Sequence, residues 1–453
     1  MKLTKQLKKV NVGLVGKDGR TTAIRRKLEA SDRVESVQHL VTGKLGSTEK
    51  EREDAKNEFR AALKNSSPDF VVIGPEEPLD AGFVDIAQRE FGIPSVGPTS
   101  VLAKLESSKA YARQLLERRG IPGNPKFKVF TKLDGIKQYL EGLGHFVVKP
   151  DGLTGGKGVK VSDVHLFSIK EATEYCQEQM ETGKRSVVIE EKLEGEEFSL
   201  QSFSDGEHVR HMPVVQDHKR IGVGDTGPNT GGMGSYSCKG GNLPFLSSAD
   251  IEIARSINEA VIRVLKEETG EFYRGVLYGG FIATSDGVKL IEYNVRFGDP
   301  ESLNVLSLLK SDFLAICEGI IAGTLDSVAI DFADRSTVCK YVVPDGYPDN
   351  PVKDAPVDLS QMPEESEQLK IFRAALDQRG GKTYLSGSRA IAFVGVADEL
   401  DEAEKIAEQA ATSVIGPVYH RRDIGSRELV ESRVAHMRQL RSSRGIRSAL
   451  IPH

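Results

Sequence analysis

Residues 275–302 read GVLYGGFIATSDGVKLIEYNVRFGDPES, and this stretch decides how the rest of the chain is read. The run 288–293 reads as a strand. Side chains two apart on a strand point the same way, so Glu292 and Asn294 share a face. A carboxylate and an amide side by side at a strand end are oxygen ligands. They suit Mg²⁺, which is usually held by one or two protein oxygens with phosphates and water. Taken alone, Glu-x-Asn has a plainer reading, an Asn closing an edge strand beside a solvated Glu. Arg296 then adds a guanidinium, and Gly298-Asp299-Pro300-Glu301 turns into an apolar helix.

The totals narrow the possibilities. A chain of 453 residues is too long for one ordinary domain. No apolar run is long enough to span a bilayer, and the basic start MKLTKQLKKV leads straight into a strand without an apolar signal core. Cys176, Cys238, Cys317 and Cys339 are scattered, with no Cys-x-x-Cys spacing and no Cys/His cluster for zinc; a reducing, cytoplasmic setting is the simplest. A formal net charge of −5 argues against a general nucleic-acid binder, and nothing points to a membrane. The 45 glycines bunch in loops, which suggests backbone contact with phosphate.

Upstream of the opening stretch, short apolar strands at 9–15, 69–73 and 93–96 alternate with helical patterns at 50–64 and 82–91. That alternation predicts a doubly wound parallel sheet, with ligands outside the carboxyl ends of its strands. The first of those ends carries Gly16-Lys17-Asp18-Gly19-Arg20-Thr21-Thr22; a plain strand-to-helix turn is the other reading. A helix over 106–119 holds Lys109, either a phosphate contact or a solvated lysine. The strand 145–150 carries Lys149 and leads into Asp151-Gly152-Leu153-Thr154-Gly155-Gly156-Lys157-Gly158, then into a second strand, 159–162. This is not a Walker A loop, because Gly-Lys is not followed by Ser or Thr. It reads as a hairpin with a glycine tip, a device that can fold over nucleotide phosphates.

The strand 186–191 runs into an acidic turn, Lys192-Leu193-Glu194-Gly195-Glu196-Glu197. Such a hinge can meet an adenine edge through its backbone and a ribose through an acid, although most acid-rich turns are only solvated. A hairpin at 198–204 and 209–215 follows. Then come Gln216-Asp217-His218-Lys219-Arg220 and a long polar segment, IGVGDTGPNTGGMGSYS, too long for an idle connection. Its charges and small residues favour a loop that closes on a polar substrate. A helix over 250–269 leads into the opening stretch, and 312–324 continues the apolar helical pattern. Beyond about residue 334 the texture becomes that of a smaller α+β unit, closed by Arg421-Arg422-Asp423-Ile424-Gly425. The Ser/Arg-rich tail after Val430 reads as a frayed end, or as a contact for a partner.

A lysine on a strand, a glycine hairpin, an acidic hinge and a later Glu-x-Asn strand resemble, in that order, the ATP-grasp ligases. Within them the chain resembles the phosphoribosylamine–glycine ligase family, on GPEEPL from Gly74, GPTSVLAKLESSKA from Gly97, VVKPDGLTGGKGV from Val147, IEEKLEGEE from Ile189, QDHKR from Gln216, GDTGPNTGGMGSYS from Gly224, IEYNVRFGDPES from Ile291 and RRDIG from Arg421. The resemblance implies an α/β and α+β multidomain fold. It comprises an N-terminal Rossmann-like sheet domain (8–104), an ATP-grasp domain (105–330, with a lid at about 125–195), a C-terminal α+β domain (335–430) and the basic tail (431–453).

It also implies ATP-dependent joining of glycine to 5-phosphoribosylamine in purine biosynthesis, with Mg²⁺ or Mn²⁺ on Glu292 and Asn294. Lys109 and Lys149 would contact phosphates, covered by the tip Gly155, Gly156, Lys157 and Gly158. Glu190, Glu191, Lys192 and Leu193 would hold adenine, and Glu197 the ribose. Arg296, Lys219, Arg220, Asp225 and Asn229 would serve the acyl-phosphate end. The expected partners are small molecules alone, for a monomer or weak homodimer.

Two departures stand out. Family members usually carry G-x-G-G-R-E-H in the first turn, where this chain has Lys17, Asp18, Thr21 and Thr22 about the retained Arg20. Gly279-Gly280 stand where a further metal ligand is often found, so Glu292 either bridges two ions or only one ion binds tightly. The alternatives are a carboxylate–amine ligase with another acceptor, or a catalytically retired nucleotide-binding scaffold. Intact Glu292, Asn294, Lys149 and the glycine tip argue against the second.

Overall fold

The structure, a computed structural model, describes residues 8–46, 48–153, 158–183 and 186–449, with side chains through residue 443. The N-terminal unit contains β1 (Val10–Val15), α1 (Gly19–Glu29), β2 (Val34–Val41), α2 (Glu49–Ser66), β3 (Phe70–Ile73) and β4 (Ser95–Val96). Its strands form a parallel sheet in the order β2-β1-β3-β4. Thr48 and Glu51 close a capping box at the start of α2. Sequence reasoning passed over β2 because only Val37 and Val41 of this edge strand are buried. The helix expected over 82–91 is a short turn, Phe83–Asp85, continued by a π-helical turn at Ile86–Glu90.

The single helix expected over 106–119 is two, α3 (Ser100–Ser107) and α4 (Lys109–Arg118). Ser108 between them is extended, and its hydroxyl accepts from the Tyr111 amide. An N-cap inside an apparently continuous pattern breaks the helix, and it puts Lys109 in the first turn of α4.

The next unit has β5 (Phe127–Phe130), α5 (Ile136–Leu143), β6 (Phe146–Pro150), β7 (Lys160–Val161), α6 (Ile169–Glu181) and β8 (Val187–Glu191). Its antiparallel sheet, in the order β5-β8-β6-β7, has a hydrophobic core of its own under the two helices. The strands β6 and β7 make the expected hairpin, with Val147 opposite Val161. Gly155, Gly156 and Lys157 at its tip lie outside the described residues.

The central sheet, in the order β10-β9-β15-β16, uses β9 (Glu196–Ser204) and β10 (Val209–His211), together with β15 and β16 defined below. The long polar segment that follows β10 is not a loop throughout. It contains β11 (Gln216–Asp217), the hairpin β12 (Arg220–Gly222) with β13 (Thr226–Asn229), and β14 (Gly234–Ser237). Then come α7 (Ser248–Thr269), β15 (Gly275–Thr284), β16 (Gly287–Asn294), α8 (Glu301–Leu308) and α9 (Phe313–Ala322). Every residue of β15 is buried, as befits a central strand.

The last part holds β17 (Ser336–Pro344), β18 (Pro356–Val357), β19 (Leu369–Arg373), β20 (Leu376–Arg379), β21 (Lys382–Leu385), β22 (Ile391–Ala397), α10 (Leu400–Thr412), β23 (Val418–His420) and α11 (Arg427–Ala449). Its main sheet runs β11-β14-β17-β22-β19, with β23 also on β17. The unit expected over 335–430 is therefore not assembled from its own strands alone, since β11 and β14 come from the segment before it. Gly234 permits this: its φ is +153°, and a Cβ there would lie 2.1 Å from the Cys339 carbonyl oxygen. The tail expected to fray is instead the helix α11, with Met437 buried against the body.

Candidate active site

A cavity of about 610 Å³ lies where these units meet, and all of them line it. Its floor is the end of β16. The pairing of β15 with β16 shifts between Gly280 and Phe281, so Ile291 is bulged out of register. The freed Ile291 carbonyl accepts from Lys149 Nζ at 3.0 Å and from Arg113 Nη2 at 2.7 Å. Beyond the bulge Glu292 and Asn294, both half-buried, line the cavity together. A carboxylate and an amide oxygen on one wall, facing a space lined by cations, are a donor set that fits Mg²⁺ with phosphate oxygens completing its shell.

The Glu190 side chain has work of its own. Its carboxylate is held by Arg113 (Nε 2.7 Å, Nη2 3.0 Å) and lies 2.8 Å from Lys149. Burial opposes its ionisation, but the two cations outweigh burial and keep its carboxyl below the usual range. The side chain is not free for adenine; it holds the Lys149 ammonium beside the bulge. Glu191 likewise accepts from the Lys126 amide at 2.8 Å, and the Lys192 amide donates to His145 O at 3.1 Å. Glu191, Lys192 and Leu193 stand outside the cavity lining, as does Gly158, whose carbonyl accepts from Tyr175.

Lys109 lines the cavity and donates to the Gly152 carbonyl at 2.9 Å. Lys219 Nζ stands between Glu197 (3.9 Å) and Glu292 (3.8 Å). Burial disfavours its charge, but Asp217, Glu292 and Glu197 together raise its pKa. Asp217, which sequence reasoning passed over, also lines the cavity, and burial pushes its carboxyl up to about 7. Its position two before Lys219 was the available signal.

Arg296 is gripped by Glu76 (3.1 Å) and Glu106 (3.0 Å). Burial pushes the Glu106 carboxyl up to about 7 against the pull of Arg296. Arg20 donates to Phe297 O at 2.7 Å and pairs with Asp18, whose carboxylate also caps α1 by accepting from the Thr21 amide and hydroxyl. The first turn thus supplies its own anion to Arg20. Arg389, a residue that no local signal marks, donates to Gly231 O (2.6 Å) and Asp299 O (2.7 Å) across the cavity rim.

Of the hairpin residues, Arg220, Asp225 and Asn229 all line the cavity, and Arg220 also donates to Gly227 O at 2.6 Å, closing the β12–β13 turn. Asp225 has φ +56° and pairs with Arg421 (2.6 Å) and with Arg433. Burial would raise its carboxyl, but Arg433 and then Arg421 bring it down to about 2. Its carboxylate anchors the hairpin.

Three family models match consecutive parts of the chain: the phosphoribosylglycinamide synthetase N domain over residues 10–106, its ATP-grasp (A) domain over 107–302 and its C domain over 337–427. The phosphoribosylamine–glycine ligase of Methanocella arvoryzae is 48% identical over 373 residues, 82% of this chain and 84% of that protein. The Methanosarcina barkeri enzyme of the same name is 44% identical over 437 residues, 94% of this chain and 99% of its own length. Among solved structures, phosphoribosylamine–glycine ligase from Thermotoga maritima superimposes with a TM-score of 0.75 at 27% identity, covering 92% of this chain and all (100%) of that one. A biotin carboxylase domain of Hydrogenobacter thermophilus 2-oxoglutarate carboxylase, solved with MgADP, shares the fold at 13% identity and a TM-score of 0.68, over 94% of this chain and 93% of its own. With matching models that follow one another from the first strand to the last helix, the chain belongs to the phosphoribosylamine–glycine ligase family of ATP-grasp enzymes.

Proposed function

We propose that this ligase joins glycine to 5-phosphoribosylamine through glycyl phosphate. A glycine carboxylate oxygen attacks the γ-phosphorus of ATP and the bond to ADP breaks. The amine nitrogen of phosphoribosylamine then attacks the carbonyl carbon, phosphate leaves, and the nitrogen loses a proton. The observation that carries this reading is one cavity in which Lys109, Lys149, Lys219 and Arg296 converge on the strand end bearing Glu292 and Asn294. Both substrates are anionic and no side-chain nucleophile is needed, so positioning and positive charge are what the protein must supply.

Lys149, fixed by Glu190 and the Ile291 carbonyl, and Lys109, at the head of α4, hold phosphates. Glu197 takes the ribose, and the backbone of residues 190–193, which meets the cavity at Glu190, takes adenine. Arg296, Lys219 and Asn229 attend the acyl end, with Arg220 and Asp225 shaping the hairpin beside them. Glu292 and Asn294 would hold Mg²⁺, or Mn²⁺ by the same donors, which when bound neutralises phosphate charge and stabilises departing ADP. Its partners are the two small-molecule substrates, and a monomer or weak homodimer is the expected state. The cytoplasm, where Cys176, Cys238, Cys317 and Cys339 stay free, is its setting.

One observation favours a second reading, a carboxylate–amine ligase with another acceptor: the Asp18 carboxylate occupies Arg20 in the turn expected to meet the ribosyl phosphate. ADP release with Mg·ATP and glycine, with and without freshly generated phosphoribosylamine, decides between them. Release that depends on both substrates is expected. ATP binding without such turnover would shift the assignment to the second reading, to be followed by an amine screen.

A further inference from the structure

The matched C domain ends at residue 427, where α11 begins. Six residues further along the helix, Arg433 enters the cavity lining. Its guanidinium lies 3.3 Å from Glu196, the neighbour of Glu197 on β9, and pairs with Asp225 at the turn of the β12–β13 hairpin. These two acids belong to different elements of the site, the nucleotide hinge and the hairpin that carries Asn229. We infer that Arg433 is a positioning residue of the ligase, tying the hinge strand to the hairpin so that nucleotide binding orders the glycine end. The inference rests on the function proposed above.

The surroundings separate this role from simple stabilisation. Without Arg433, Glu196 keeps His436 at 2.6 Å and Asp225 keeps Arg421 at 2.6 Å, so neither carboxylate is left bare. The helix keeps its own anchors, buried Met437 and the ion pair of Arg441 with Asp250 at 2.6 Å. What Arg433→Ala removes is, among the described residues, the one guanidinium that touches both Glu196 and Asp225. Coupling between sites is a free-energy difference that a single shared contact can carry.

The test is made on the full chain with Arg433→Ala and Arg433→Lys. Arg433→Ala should lower the unfolding temperature by no more than Asp225→Asn does, yet raise the glycine KM about tenfold at saturating ATP, with partial rescue by Arg433→Lys. In parallel, a non-hydrolysable ATP analogue should slow amide hydrogen exchange across 220–231 in the wild-type protein and not in Arg433→Ala. A glycine KM within about twofold of wild type would overturn the inference, as would a matching fall in Tm that Arg433→Lys does not restore. Equal exchange behaviour in the two proteins would overturn it too. If the wild-type protein shows no glycine-dependent ADP release, the proposed function has failed instead, and the exchange experiment still decides the part played by Arg433.

Discussion

A buried acid gripped by two cations is strongly tied to its partners. Glu190→Gln would take away the carboxylate that pairs with both Arg113 and Lys149, and should cost about 3–5 kcal/mol with a large drop in Tm, along with weaker ATP binding by calorimetry. Glu292→Ala should abolish ADP release while binding of metal-free ATP changes little; unchanged kcat would remove Glu292 from the metal site. Asp225 carries a pH signature. Its folded-state carboxyl lies at about 2, below the unperturbed 3.8, so its contribution is complete above 3.8 and is lost as the pH falls towards 2. Asp225→Asn should therefore cost about 1–2 kcal/mol at neutral pH, and the Tm gap to wild type should close only below about pH 4. The pairing of Glu292 with Asn294 was legible because strand alternation is local. The partners of Glu190 and Asp225 were not, because Arg113 and Arg433 reach them from distant helices.

Elements were legible where one physical signal ruled. The strand β16, the β6–β7 hairpin and the helix α7 follow from their patterns almost to the residue. The break at Ser108 was hidden because an N-cap competes with an otherwise continuous helical pattern. The hairpin β12–β13 was hidden because its pairing is glycine-rich and exposed. Glycine also marks the tightest element contact at the hinge: a Cβ on Gly195 would lie 1.9 Å from the Ala283 carbonyl oxygen of β15. Gly195→Ala should therefore push the hinge off the central sheet. Overpacking of this kind costs about 1–3 kcal/mol, to be read as a fall in Tm together with weaker binding of an ATP analogue.

The molecule as a whole is joined by exchange of strands. A parallel N-terminal sheet and a smaller C-terminal unit were readable from periodicity and turn residues, and the lid from the family resemblance. That β11 and β14 belong to the last sheet was not, because strand partners far apart in sequence leave no local mark. A fragment ending at residue 334 would leave β14 without β17. It should elute as aggregate on size-exclusion chromatography and fail to bind ATP, and a monomeric, ATP-binding fragment would contradict this account of the architecture. The same exchange bears on the entropy of the reaction. With β11 and β14 paired to each other, Gln216 opposite Tyr236 and Asp217 opposite Ser235, both ends of the active-site hairpin are fixed side by side. The conformational freedom lost in closing that loop is lost once, when the chain folds, and not again at every turnover.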